Sequence, residues 1–281
     1  MAGDYRWVSA EAAGAFERFE LKYRIPNSQV PELRRFLAPW VLADAHGPGG
    51  AYQTTNLYFD TPDRALYQAH ARSDLDRYKL RIRHYQGGGR CYFEIKRKIR
   101  DVIVKRRSHV PADQLAAVLD GDRRVIDASS NPTHLDEWIG RQPQIGAEPA
   151  YFIRYQREAY HGSFDSTCRV TLDGALAYQP ASAAHLNPDS SLFRPLEQAL
   201  VLELKFDRQF PRWVQLLVQR FDLTRVQFSK YLAAIDADRA AAHDPMPRST
   251  VVRGLSSAGR FHSLFEPAAA WFRPLARERR R

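Results

Sequence analysis

Residues 77–107 constrain the fold of this 281-residue chain more than any other stretch. Charged and apolar residues alternate there almost one for one. Arg77, Lys79, Arg81, Arg83 and Tyr85 share one parity, and Tyr78, Leu80 and Ile82 share the other. After Gly87-Gly88-Gly89, Tyr92, Glu94, Lys96 and Lys98 stand opposite Cys91, Phe93 and Ile95. A third run, 101–107, sets Lys105 and Arg107 on one face with Val104 behind them. Consecutive side chains of a strand point to opposite faces, so each run reads as a strand with one cationic and one apolar face. One such strand is the solvated side of an ordinary antiparallel sheet. Several side by side are not, because like charges on neighbouring strands repel unless something anionic lies between them. The cationic face needs a partner.

The pattern recurs along the chain. Over 16–25, Phe19, Leu21, Tyr23 and Ile25 oppose Arg18, Glu20, Lys22 and Arg24; over 201–207, Leu202, Leu204 and Phe206 oppose Glu203, Lys205 and Asp207. Further strands are predicted over 52–60, 151–160 and 169–173, the last two contributing Tyr155 with Arg157 and Arg169 with Asp173. One sheet face then holds Lys22, Arg81, Arg83, Lys96, Lys105, Arg107, Arg157, Arg169 and Lys205, with Glu20, Glu94 and Glu203 among them.

Helices are predicted between the strands. Ser28 is expected to cap one with the stripe Val30, Leu33, Leu37 and Trp40. Others cover 64–71, 111–119 and 133–139, the last two joined by a polar connection. Another follows Pro211, with Trp213, Leu216, Leu217 and Phe221 as its buried stripe. Ser229-Lys230-Tyr231 leads into a last helix ending at Ala241. Residues 1–15 have weak helix character, and 179–195 read as a loop. The chain divides into a domain over 1–241 and a basic Pro/Ser/Arg-rich tail over 242–281, whose Phe265, Trp271 and Phe272 suggest peripheral membrane contact.

One α+β architecture satisfies these patterns: an antiparallel barrel with a polar lumen and helices covering its apolar outside. Desolvating so many cations without counter-charge costs several kcal/mol each, so the lumen is expected to be wet or filled by a polyanion. Cations around carboxylates suit a phosphate chain with a divalent metal. Arginine forks grip phosphate oxygens in pairs, lysine supplies point charge, and hard Mg²⁺ or Mn²⁺ prefers carboxylate and phosphate oxygen.

The formal net charge of +10 agrees with an anionic partner. Carboxylates on the cationic face argue against a specific nucleic acid. The chain has no Gly-rich loop ending in Gly-Lys-Ser/Thr, and neither its nine histidines nor its two cysteines show ligand spacing. Cys91 and Cys168 sit inside strand-like runs and are expected as buried free thiols. No apolar run approaches the ~20 residues of a membrane span, and the first residues do not read as a signal sequence. The expectation is a cytoplasmic protein.

Eight short motifs occur in order: Glu20-Leu21-Lys22-Tyr23, Leu57-Tyr58-Phe59-Asp60-Thr61, Lys79-Leu80-Arg81-Ile82-Arg83, Phe93-Glu94-Ile95-Lys96, Val104-Lys105-Arg106-Arg107, Tyr155-Gln156-Arg157, Val201-Leu202-Glu203-Leu204-Lys205 and Phe228-Ser229-Lys230-Tyr231. The set resembles the VTC (vacuolar transporter chaperone) domain of the triphosphate tunnel metalloenzyme, or CYTH-like, superfamily. The resemblance spans about 16–241. It implies an eight-stranded antiparallel tunnel and a polyphosphate polymerase that moves the γ-phosphate of ATP onto a growing chain with Mn²⁺ or Mg²⁺. It further implies that Lys22, Arg81, Arg83, Lys96, Lys105, Arg107, Arg157 and Lys230 bind phosphate and act in catalysis, and that Glu203 holds the metal. Arg169 and Lys205 join the phosphate-binding set by parity, and Glu20 and Glu94 are further metal candidates. Many tunnel triphosphatases and cyclases open with Glu-x-Glu-x-Lys, whereas here the first position is Arg18. That departure leans toward the polymerase branch. The alternatives are a tunnel hydrolase of triphosphate or polyphosphate and a non-catalytic polyphosphate-binding module.

Overall fold

The structure is a computed structural model that describes residues 6–7, 18–45, 47–100, 102–165, 167–197, 199–207 and 211–242. The alternating runs form strands β1 (Arg6–Trp7), β2 (Arg18–Ile25), β3 (Val41–Ala43), β4 (Ala51–Asp60), β5 (Asp76–Tyr85), β6 (Arg90–Ile99), β7 (Val102–Pro111), β8 (Glu148–Gly162), β9 (Arg169–Pro180), β10 (Arg194–Glu197) and β11 (Leu200–Asp207). Eight of them make one antiparallel ladder in the order β7-β6-β5-β4-β8-β9-β11-β2. The sheet curls into a half-barrel. Its curvature brings Glu20 of β2 to 3.8 Å from Lys96 of β6, although these strands lie near opposite ends of the ladder. Among the described residues β2 and β7 are not paired with each other, and β1 lies parallel on β7 at that seam. The short β3 pairs with β8, and β10 with β9.

The apolar parity of each strand faces outward under helices. Leu57, Leu80, Ile82, Phe93 and Ile95 are buried beneath α3 (Leu115–Leu119), α4 (Arg123–Asp127) and α5 (Pro132–Gln144). Trp138 of α5 is the centre of that layer, meeting Phe59 and Phe93 edge to face with ring centroids 5.0 Å away in both pairs. On the other half, α1 (Val30–Leu37) and α6 (Arg212–Arg220) lay Leu33, Leu37, Val214 and Leu217 on Ile25, Leu202 and Leu204. Each such side chain contributes about 1.5–3 kcal/mol by leaving water. A cationic concave face is tolerable because the convex face supplies this core.

The last helix breaks the expected arrangement. α7 (Lys230–Ala241) lies on the concave face, where Tyr231, Leu232 and Ile235 pack against the inward-facing Tyr58, Ile153, Tyr178 and Val201. The rings of Tyr231 and Tyr58 stack with centroids 4.8 Å apart. Residues 231–236 are all buried, and a helix buried all round belongs inside a protein rather than on its surface. Hydrogen bonds fix it there. Tyr231 Oη donates to Asp60 Oδ2 at 2.6 Å, Tyr67 Oη to Asp236, and Tyr151 Oη to Asp238 at 2.9 Å. Asp60 also accepts the Leu66 and Tyr67 amides of α2 (Ala65–Ala71), so one buried carboxylate ties α2 to α7.

Other details depart from the sequence expectations. Ser28 lies within a 3₁₀ turn over Asn27–Gln29 and does not cap α1, whose N-cap, Gln29, makes no side-chain cap bond; Pro31 in the first turn fixes the entry instead. Leu216 is 45% exposed, and Val214 takes its place in the α6 stripe. The polar connection contains α4, capped by the Asp122 carboxylate on the Arg124 amide. β9 continues to Pro180, and the chain returns on it as β10, so 179–195 is only partly loop. Arg6–Trp7 pair as a strand where weak helix is predicted. Cys91 and Cys168 are free and buried, as expected. No helix among the described residues is long and apolar enough to cross a membrane. Residues 243–281 of the predicted tail, with the aromatics expected to contact a membrane, lie outside the described residues.

Candidate functional site: a cationic lumen

The concave face encloses a cavity of about 1080 Å³ lined by eleven cationic side chains and five carboxylates. Every predicted site residue lines it: Lys22, Arg81, Arg83, Lys96, Lys105, Arg107, Arg157, Arg169, Lys205 and Lys230, with Glu20, Glu94 and Glu203. Strand parity accounts for all of these except Lys230, which α7 delivers from its first residue while the Ser229 side chain caps the helix on the Leu232 amide.

The charges fall into three groups. In the first, buried Glu94 gathers four cations. Arg81 donates to its Oε2 at 2.7 Å and Arg83 lies 3.8 Å from that oxygen, while Lys105 and Arg107 approach Oε1 at 3.1 and 3.3 Å. Burial opposes ionisation of Glu94, but Arg81 and Arg83 overcome it and hold the carboxyl well below its usual range. Burial also brings the Lys105 ammonium down to about 8, against the pull of Glu94. In the second group, Arg157 forks onto Asp173 at 2.6 and 2.8 Å and Lys230 meets the same carboxylate at 2.6 Å. Asp173 is fully buried, yet Arg157 and Lys230 outweigh that burial and lower it to about 2.

The third group holds two carboxylates. Glu20 pairs with Lys22 at 2.9 Å and Glu203 with Lys205 at 2.6 Å. The β2–β11 register sets Glu203 opposite Lys22 and Lys205 opposite Glu20, so the two acids are diagonal neighbours on the lumen face. Burial and Glu203 oppose the charge of Glu20, and Lys22 and Lys96 still keep its value low. Lys96 is depressed to about 8, mainly by burial.

Glu94 stands apart in its own cage, so the three carboxylates predicted as metal ligands do not converge. Among the described residues no group of three or more His, Cys, Asp or Glu forms a metal cluster. Glu20 with Glu203 does fit a hard cation that takes its remaining ligands from phosphate and water. Glu20 Oε2 is buried without a hydrogen-bond donor, and Thr171 Oγ1, in register with Glu203, is likewise unpartnered.

Several lumen residues fall outside the predicted set. Lys79 has the parity of Arg81 and Arg83 and donates to Ser229 Oγ at 2.8 Å. Burial, then Lys96 and Lys22, push its ammonium well below the ordinary lysine value. Asp173 shares its parity with Arg169, which was the available signal. Tyr155 carries Lys230 Nζ 4.7 Å and the Arg157 guanidinium 5.2 Å from its ring centre. Burial resists its ionisation, but Arg157 and Arg83 bring the phenol down to about 8.

The two ends of the lumen differ. One is an open mouth rimmed by Tyr52, Tyr85, Tyr92 and the β5–β6 hairpin. At the other, α7 plugs the concave face and leaves beside it a vestibule of about 170 Å³, lined by His70, Arg77, Lys79, Lys96, Lys98 and Arg225 among others.

The sequence model of the VTC domain matches residues 17–237. The chain belongs to the VTC domain family. The matched span contains every lumen residue named above, and it places the chain among triphosphate-tunnel proteins. A comparison with curated proteins finds no match. Among solved structures, the VTC domain is similar to a candidate adenylate cyclase from Vibrio parahaemolyticus (17% identity, TM-score 0.41, covering 79% of this chain and 98% of that one). It is also similar to one from Bacillus halodurans (13%, 0.44, 75% and 92%). A candidate adenylyl cyclase from Hippeastrum, described as having a dominant triphosphatase activity, matches at 16% identity and TM-score 0.43, covering 81% and 97%.

Proposed function

We propose that this VTC domain is a metal-dependent phosphotransferase that moves the γ-phosphate of ATP onto a polyphosphate chain held in its lumen. The observation that carries this reading is the excess of cations over carboxylates on one enclosed surface. Glu20, Glu94, Asp173 and Glu203 are each already matched by lysine or arginine, and the lining cations still outnumber the lining carboxylates, which leaves net positive charge for a ligand. Phosphoryl transfer asks little covalent chemistry of a protein and depends on positioning and electrostatic stabilisation. A terminal oxygen of the chain attacks the γ-phosphorus, the bond from that phosphorus to the β,γ-bridging oxygen breaks, and ADP leaves with the electron pair. Arg81, Arg83, Lys105 and Arg107, already oriented by Glu94, neutralise charge on the equatorial oxygens. Arg157 and Lys230, held by Asp173, grip the neighbouring phosphate. Glu20 and Glu203 are the residues that would hold Mn²⁺ or Mg²⁺. Bound there, the ion supplies charge neutralisation across phosphate oxygens.

The test is an incubation with ATP and Mn²⁺, with products sized on a gel. Long chains are expected; free phosphate alone would make the domain a hydrolase, and unchanged ATP a binding module. Glu203→Gln keeps the shape and removes the charge. It should lower turnover by about 10² or more, the scale of one lost preorganised stabiliser, while tripolyphosphate binds as well as before or tighter. Intact turnover in this variant would move the metal role elsewhere.

A further inference from the structure

We propose that Tyr52, Tyr85 and Tyr92 form a stacking platform at the open mouth that receives the base of a nucleoside triphosphate. This rests on the reading that the lumen grips the phosphates of ATP.

The placement comes from register. On β5 the lumen face runs Lys79, Arg81, Arg83 and then Tyr85, and on β6 it runs from Lys96 through Glu94 to Tyr92. On β7 it runs Lys105, Arg107 and then His109, directly paired with Tyr92. Three adjacent strands therefore change from charge to aromatic at the same end. β4 adds Tyr52 one step further round. Its ring meets Tyr85 with centroids 5.4 Å apart at 84°, Tyr85 meets Tyr92 at 5.3 Å and 71°, and Tyr92 meets His109 at 5.3 Å. The rings touch edge to face rather than stacking on one another. All three tyrosines line the cavity and are partly open to solvent. The opposite end carries Arg77, Lys98 and Arg225 in place of such a row.

A phosphate chain gains nothing from a ring face, whereas every nucleobase has a π-face that stacks on one. Tyr85 lies two strand residues, about 7 Å, beyond Arg83. A triphosphate gripped by the arginines thus directs its nucleoside out over the rim. The competing role for the rings is to steer guanidinium groups. Arg107 lies 4.0 Å over the Tyr92 ring, and Arg83 and Arg107 both donate to Tyr85 Oη, at 3.4 and 3.3 Å. The two roles separate cleanly, because only the platform distinguishes ATP from inorganic tripolyphosphate.

The experiment titrates the full chain with ATP and with tripolyphosphate by calorimetry, for the wild type, Tyr52→Leu/Tyr92→Leu and Tyr92→Trp. The double variant should lose about tenfold or more in ATP affinity, the effect of losing a base–aromatic stack. Its tripolyphosphate affinity should not change, which also shows that the variant is folded. Tyr92→Trp should bind ATP at least as tightly as the wild type, and hypochromism of the adenine band should accompany binding to both. Equal losses for the two ligands would assign the rings to arginine steering, and no loss for either would leave the base in solvent; both overturn the platform while the phosphate lumen stands. Failure of the wild type to bind either ligand would overturn the lumen reading itself.

Discussion

Glu94 governs the ligand-free lumen at the scale of single residues. Its side chain is 1% exposed and stands within ion-pair distance of Arg81, Arg83, Lys105 and Arg107. Removing one member of a buried charge group leaves the others uncompensated, which costs more than the group is worth when intact. Glu94→Gln should therefore lower the stability of the apo protein by about 3 kcal/mol, read from denaturant titration. Saturating tripolyphosphate should restore most of the loss, because it supplies negative charge to the same four cations. A loss of equal size with and without the ligand would mean that Glu94 is needed for packing rather than for charge. Alternation at period two was enough to place Glu94 and its cations on one face from the sequence. It could not say which carboxylate serves which cation, since that depends on strand neighbours dozens of residues away. Parity alone groups Glu94 with Glu20 and Glu203, whereas the fold gives it a separate set of cations.

Among the elements, α7 decides where the lumen ends. Its hydroxyl and carboxylate links to Asp60, Tyr67 and Tyr151 hold a buried helix whose first residue is a lumen-facing lysine. Tyr231→Phe deletes the bond to Asp60 and leaves the ring stack with Tyr58. The expected cost is about 1.5–3 kcal/mol, the range for a hydrogen bond to a charged group, measured by urea unfolding. A Phe variant as stable as the wild type would show that stacking alone seats the helix. The inward position of α7 was hard to read from the chain. Its apolar residues have no single stripe, so nothing in the pattern says which side meets the sheet, and a helix after eight strands is most simply drawn outside. The outer helices were legible because their stripes are one-sided. Even there, a shift of phase put Leu216 in the stripe in place of Val214.

For the molecule as a whole, the enclosed cations set how it responds to pH. Lys96 and Lys105 are brought down to about 8 from the ordinary 10.5, chiefly by burial. Between those values the unfolded chain holds protons that the folded chain has lost. The contribution of these lysines to apo stability therefore rises with pH across that window. A bound polyanion reverses the sign, favouring the protonated lysines and weakening as pH climbs past 8. Melting temperatures with and without tripolyphosphate should accordingly converge from pH 7 toward pH 10, and an offset independent of pH would deny these lysines a place at the ligand. The seam between β2 and β7 carries a different consequence. A closed barrel fixes its bore through strand number and stagger. Here β1 lies on β7 at the seam, and the 3.8 Å approach of Lys96 on β6 to Glu20 on β2 adds an ion pair across it where a closed barrel would have a strand ladder. Such a seam is expected to gauge a guest by its cross-section, as a pair of callipers does, and to leave its length unmeasured.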